Sequence, residues 1–482
     1  MKFTLRNVFL VILFAGILYF TLMPVSDPDF LWHLRTGELI AQLHAIPHTD
    51  PYSFSFFGKP WITQEWLSEL LIFWLYQLGG YNLLIIIFAF IITLTFFFTY
   101  LRCPQESKPY TAGFTLFLGV LMSYTLFGIR PQMISLLLTS LFLYLLDKYK
   151  KTQQIKYILF LPIITLIWVN LHAGYLLGLV LILFYITGGL LEWLFEKYSK
   201  KESPTPVFPR YLLFLTGVFV LGLFAALINP NGFKILIYPF QTLTDSAMQQ
   251  YIKEWQSPNF HLNTMLPMVI MILSLIGLGM FGKQRIPITQ ILLTLVFGFE
   301  ALHSIRNIPL FALVCVPVLS EEISSWVKIQ SNTQIPKRFI WLIPIFFACI
   351  AVILVHDFIR ISNFQSTEIA ESYPQAAVDW ISENQPQGRI FNAYDWGGYL
   401  IRRLNPKYLV YIDGRADVYG KDFVSDYISI RDADTNWEQK LDLKNIRLVL
   451  IEPNSNLAKV LRLSPDWANS FEDNHSVIFT KK

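Results

Sequence analysis

The sequence predicts an α-helical protein that crosses a membrane many times and ends in a soluble α/β domain. Three observations predict this. Of 482 residues, 54% are hydrophobic and only 15% charged, a balance foreign to soluble domains of this size. The charges sit in short clusters between apolar runs long enough for helices spanning a bilayer core of about 30 Å. Beyond residue 355 the apolar runs stop and short helix and strand patterns replace them.

The first run, 9–25, follows the basic residues Lys2 and Arg6. It is long for a signal peptide and no small-residue cleavage pattern follows it, so it reads as a retained span. Further spans fit 81–100, 113–127, 133–146, 157–171, 175–191, 211–227, 265–281, 288–302, 309–319 and 339–355. These eleven spans place the N-terminus in the cytoplasm and the C-terminal domain outside. Segment 65–78 is short and carries Trp66, Trp74, Tyr76, Glu65 and Glu69. It reads as a helix in the outer interface.

Charge supports that reading. The expected cytoplasmic pieces (1–8, 101–112, 147–156, 194–210, 282–287 and 320–338) hold 17 Lys and Arg. The external pieces before residue 356 hold six: Arg35, Lys59, Arg130, Lys234, Lys253 and Arg306. Counting 65–78 as a span would turn Lys148-Tyr149-Lys150-Lys151 outward, against the positive-inside rule. The expected domains are therefore a membrane domain over 1–355, with its first external loop at 26–80, and an extracytoplasmic α/β domain over 356–482.

The net charge of +4 follows from this topology. The basic residues are split among separate loops with no aromatic-interleaved stripe, which argues against nucleic acid. Cys103, Cys315 and Cys349 fall in an inner loop or in spans and offer no external disulfide framework. Apart from Glu300, no Asp, Glu, Lys or Arg falls inside a span, which disfavours ion-coupled transport.

The candidate chemistry faces outward. The first loop carries Asp27, Asp29, His33, His44, His48, Asp50 and Glu65; shorter turns add Arg130, His172, Glu254, His303 and Arg306. Asp27 is placed to cap a helix running to Leu43, with Pro28 at its first position and Asp29 in its first turn. A carboxylate fixed there can also take the proton of an attacking hydroxyl. His33, four residues after Asp29, shares its helix face and can orient it or join it as a ligand to a divalent cation. Pro47 spoils a helical face for His44 and His48, which weakens a metal site with Asp50. Arg130 and Arg306 sit at outer helix ends, suited to lipid headgroups or to phosphate oxygens. His172 and His303 suit helix-end hydrogen bonds or donation into the same site.

In the tail, 374–384 and 396–404 read as helices, while 389–392, 408–412 and 447–451 read as strands. Segments 467–471 and 477–480 read as a closing hairpin. Its loops hold Tyr394-Asp395-Trp396-Gly397-Gly398-Tyr399, with a glycine pair for a tight turn. They also hold Asp413-Gly414-Arg415-Ala416-Asp417, a polar cluster.

Asp27-Pro28-Asp29-Phe30-Leu31-Trp32-His33-Leu34, Asp50-Pro51-Tyr52-Ser53-Phe54, Pro60-Trp61 and Glu65-Trp66-Leu67, with the span series and the two tail loops, resemble a family of bacterial polytopic membrane proteins. That family is grouped with the GT-C superfamily of polyprenyl-phosphate-sugar-dependent glycosyltransferases, mannosyl- and arabinosyltransferase-like. The resemblance implies a GT-C-like fold in the bacterial inner membrane and an inverting enzyme moving a hexose or pentose at the outer face. Its partners would be a polyprenyl-phosphate-linked sugar, a glycan, lipid or protein acceptor, and the bilayer. Asp29 or Asp27 would be the acidic residue of the first loop, with His33 beside it; a divalent cation would be the cofactor, with Asp29 and His33 as candidate ligands. Arg130, Arg306, His172, His303, Glu65, Asp50 and Glu254 would hold substrate and phosphate. This chain has Asp-Pro-Asp where many relatives have adjacent acidic residues, which leaves the choice of base open. Two other readings stand beside it: a non-enzymatic component of envelope polysaccharide assembly or export, and a polyprenyl-diphosphate-glycan ligase or polymerase.

Overall fold

The computed structural model describes residues 4–104, 109–199, 208–244, 249–250, 252–282, 285–326 and 342–482. Lys2, stretches of the basic loops within 101–112, 194–210, 282–287 and 320–338, and the first three residues of the run at 339–355 lie outside the described residues.

Among the described residues, helices lie over most of each of the eleven apolar segments. Five helices among the described residues are long and apolar enough to cross a membrane: Trp66–Arg102, Tyr175–Tyr198, Asn263–Phe281, Ile305–Trp326 and Leu342–Gln365. Four more apolar helices, Leu5–Thr21, Ile155–Leu171, Arg210–Ala226 and Ile288–His303, are shorter. Only 11% of the span in Leu342–Gln365 is buried within the protein. Its outward side chains include Val352 and Val355, a surface that lipid tolerates and water does not. A helix at Lys234–Thr244 was not expected from the sequence, because Pro239 and its short apolar run disguise it.

The chain divides into two compact units. The first comprises Met1–Met23, Ile85–Leu236 and Glu254–Ile361. Its helices associate through small and polar side chains, as apolar helices in lipid do. The Ser140 hydroxyl donates to the Thr95 carbonyl at 2.7 Å and contacts Thr99 Oγ1 at 3.0 Å. A Cβ on Gly119 would meet Val316 at 2.6 Å. Near one helix end Arg102 Nε donates to Asp147 at 2.7 Å and Nη1 to the Leu313 carbonyl.

The second unit comprises Pro24–Leu84, Ile237–Lys253 and Ser362–Lys482, so the first loop clusters with the tail. Its sheet has the order β1-β2-β4-β3, with β1 Arg389–Asn392, β2 Ile446–Ile451, β3 Trp467–Glu472 and β4 Val477–Lys481. β1 pairs with β2 in parallel; β2–β4 and β3–β4 are antiparallel, the last being the expected hairpin. The crossover between the parallel strands carries the helices Gly397–Leu404, Ala416–Arg431 and Trp437–Leu443. Phe391, Tyr411, Val449, Ile451 and Phe479 centre the core.

Segment 408–412 is not a strand of this sheet, contrary to the sequence expectation. Its backbone is committed elsewhere: Val410 N donates to the Tyr52 carbonyl, and Phe54 N to the Val410 carbonyl, both at 3.0 Å. Phe54 and Phe56 of the first loop pack on the tail core, Phe56 meeting Tyr419 and Phe423 at centroid distances of 5.3 and 5.1 Å. The helix Trp66–Arg102 breaks at Gly79 and Gly80, the latter at φ +60°, which sets residues 66–78 apart as their own helical piece.

Candidate functional site

The second unit gathers most of the first-loop candidates. The first-loop helix runs Phe30–Leu43. Asp29 flanks the helix and makes no side-chain capping bond of its own; Asp27 Oδ1 accepts from Asp29 N at 2.9 Å, a capping-type bond two residues on, as expected of Asp27. The Asp-Pro-Asp turn thus spends one carboxylate on holding the backbone of the other. Asp29 Oδ1 accepts from Trp32 Nε1 at 3.1 Å. Burial of this carboxyl, with Asp27 close by and His33 only partly offsetting both, raises its pKa to about 7. The residue itself keeps partial exposure.

His33 does not turn to Asp29. Its Nδ1 lies 3.1 Å from Glu69 Oε1 and 3.4 Å from Glu65 Oε2, and all three residues are buried. The sequence explains how they meet. His33 and Gly37 are one turn apart on one helix face, and so are Glu65 and Glu69 at the start of the next helix. A Cβ on Gly37 would stand 2.1 Å from the Glu69 carbonyl oxygen, so glycine lets the two helices touch at the backbone. Burial alone would lower the His33 pKa; the two carboxylates outweigh it and raise it to about 9. The Trp32 ring lies against the imidazole at a centroid distance of 3.7 Å.

The tail completes the cluster. Arg415, fully buried, donates from Nε and Nη2 to the two oxygens of Asp413 at 2.8 and 2.7 Å, and reaches Asp50 Oδ1 at 2.8 Å. Its guanidinium lies 4.9 Å from the Tyr52 ring and 4.6 Å from that of Trp61. Asp50 also accepts from the amides of Tyr52 and Ser53, so this expected substrate residue is a structural hub; His44 and His48 are exposed and apart from that role. Tyr419 donates to Asp413 at 2.6 Å, and Tyr238 donates to Asp417 at 2.9 Å.

The tail glycines serve close approach and not the tight turn expected of Gly397-Gly398. Both begin a helix; a Cβ on Gly398 would meet the Pro28 carbonyl at 2.6 Å, and one on Gly397 the Asp413 Cα at 2.5 Å. At Gly414 a Cβ would sit 1.6 Å from Asp29 Oδ1. Asp29 is therefore walled by bare tail backbone. A small cleft lined by Trp32, Trp61, Gln64, Glu65, Glu69, Tyr238, Arg415 and Asp417 opens onto the carboxylate pair.

The remaining candidates belong to the first unit. Arg130 Nη1 donates to Glu254 Oε1 at 2.7 Å, so its fork, expected to hold phosphate, already holds a carboxylate. His172 Nδ1 accepts from Gly174 N at 2.9 Å and lies 2.8 Å from Ser135 Oγ, which itself accepts from Trp168 Nε1. This network assigns the ring proton to Nε2. The Arg306 guanidinium lies 4.5 Å from the Trp255 ring. His303 is exposed and stacks on Phe299.

Sequence reasoning missed Glu69, Trp61, Tyr238, Gly37 and Gly414 as site residues. The four-residue spacing of Glu65 and Glu69 was the one local signal, because it puts two carboxylates on one helix face. The others act through contacts between distant segments.

No protein-family model and no curated protein matches the chain. Solved structures do. It resembles the archaeal oligosaccharyltransferase AglB from Archaeoglobus fulgidus, in complex with an inhibitory peptide and a dolichol-phosphate, at TM-score 0.53 and 11% identity, over 93% of this chain and 69% of that one. It resembles ArnT from Cupriavidus metallidurans in the apo state at TM-score 0.52 and 14% identity, over 98% of both chains. The same protein bound to undecaprenyl phosphate matches at TM-score 0.54 and 12% identity, over 97% of both. The likeness is one of fold.

Proposed function

We propose that this protein is a membrane glycosyltransferase that moves a sugar from a polyprenyl-phosphate carrier to an envelope glycan, lipid or protein acceptor at the outer membrane face. The observation that carries the proposal is Asp29: a partly exposed carboxyl with a pKa near 7, anchored through one oxygen and walled by glycine backbone. Support comes also from a fold shared with proteins whose structures hold dolichol-phosphate and undecaprenyl phosphate.

In this reading the acceptor hydroxyl gives its proton to Asp29 Oδ2 as its oxygen bonds to the anomeric carbon. The bond from that carbon to the phosphate oxygen breaks, and the lipid phosphate departs with the electron pair, inverting the centre. A base with a pKa near the working pH is both ionised and able to take the proton. Trp32 holds Oδ1, which leaves Oδ2 toward the acceptor. The His33–Glu65–Glu69 group fixes the helix that carries Asp29. Arg306, whose head rests on an aromatic face, has the guanidinium fork that suits phosphate oxygens.

The test is a profile of polyprenyl-linked lipids and envelope glycans by mass spectrometry in a deletion strain, complemented with wild type or Asp29→Asn. The proposal expects a lipid-phosphate sugar to accumulate in the deletion and variant strains and to clear with wild type. Unchanged lipids and glycans in every strain would overturn it and favour an assembly component.

A further inference from the structure

The geometry points to a divalent-cation site built from His33 Nδ1, Glu65 and Glu69, a ligand set that leaves Asp29 out. This deepens the proposed function by giving the same cluster an ion, and its test needs no turnover.

Three observations converge. The first is spacing. Two ligands bonded to one ion at about 2.1 Å and roughly 90–110° apart lie about 3.0–3.4 Å from each other. His33 Nδ1 stands 3.1 Å from Glu69 Oε1 and 3.4 Å from Glu65 Oε2, and all three groups offer ligand atoms within 4.8 Å of one another. The second is an orphan. Glu69 is 1% exposed, yet its Oε2 has no hydrogen-bond partner among the described residues. A buried carboxylate oxygen without a partner is costly, and an ion beside it removes that cost.

The third is charge. Glu65 and Glu69, both buried, converge on His33, and Arg415 lines the same cleft. Asp50 and Asp413 already take the charge of Arg415. Two buried carboxylates facing one imidazole form an acidic pocket that a divalent cation fits.

The donor set narrows the ion. One imidazole with two carboxylates suits a first-row transition ion such as Mn²⁺ or Zn²⁺ better than Ca²⁺ or Mg²⁺, which favour oxygen alone. Coordination through Nδ1 leaves the ring proton on Nε2. Three protein ligands leave positions open, and Glu65 and Glu69 both line the cleft, which supplies an entry path. The ion would balance the carboxylates and lock the imidazole against Trp32.

The test uses the full-length protein in nanodiscs, stripped with EDTA and titrated with Mn²⁺. Free ion is read from its EPR signal, and bound metal is counted by mass spectrometry after buffer exchange. One ion per chain is expected, with a higher melting temperature. Glu65→Gln and Glu69→Gln should each weaken binding about tenfold or more, while Asp27→Asn leaves it within about twofold. If Glu69→Gln fails to fold, Glu65→Gln and Glu69→Asp carry the comparison. Absence of stoichiometric Mn²⁺ and Zn²⁺, or binding indifferent to both glutamates, overturns the site. Ion binding retained in a protein whose deletion leaves all lipids unchanged would sink the transferase reading and leave this site standing.

Discussion

Asp29 carries opposed consequences for activity and stability. As a base it works ionised, so the transfer rate at low substrate should rise from pH 6 to pH 8 with an apparent pKa near 7, measured in reconstituted vesicles. Stability runs the other way. Its folded pKa of about 7 lies above an unfolded value of about 3.9. Between those values the unfolded chain binds fewer protons, so this residue's contribution to stability falls as pH rises from about 4 to about 7. Asp29→Asn should therefore abolish transfer, yet raise the unfolding midpoint at pH 8 in EDTA and leave it nearly unchanged below pH 4. A midpoint that falls at pH 8 would show that the carboxylate is stabilised in the fold, against the burial argument.

At the scale of elements, two glycines set the site. Gly37 lets the helix Phe30–Leu43 touch the Glu69 backbone. Gly37→Val should separate the two helices, cost about 1–3 kcal/mol, and abolish any metal dependence of melting. Gly414 presses bare backbone on Asp29. Gly414→Ala should displace that carboxylate and reduce transfer about tenfold or more while moving the melting temperature little, since only a methyl at a partly exposed edge changes. Normal turnover in Gly414→Ala would remove Asp29 from the reaction.

At the scale of the second unit, Arg415 ties the first loop to the tail through Asp50 and Asp413. Arg415→Met leaves two buried carboxylates unpaired, a loss of about 3–5 kcal/mol, and should expose residues 44–60 and 405–420 to limited proteolysis together. Cleavage confined to one of the two segments would show that they fold independently. The helices and the hairpin were legible from local patterns: apolar runs of span length, and alternating strands closed by Asp-Asn-His-Ser. Segment 408–412 was not legible, because its strand-like pattern says nothing about which partner takes its hydrogen bonds. The roles of Gly397, Gly398 and Gly414 were hidden for a similar reason. A glycine that serves a turn and one that admits a neighbouring backbone look alike in one dimension.

The amino-acid sequence by itself determined the helical membrane character, the acidic first loop, the Asp-Pro-Asp–His motif and the α/β tail, since each rests on composition, periodicity or spacing within a single segment. Only the tertiary structure decided that His33 faces Glu65 and Glu69 and not Asp29, that Arg130 is held by Glu254, and that loop and tail share one unit. Those choices depend on which segments meet. That is set by shape at Gly37 and Gly414 and by the pairing of buried charges, neither of which is written locally in the chain.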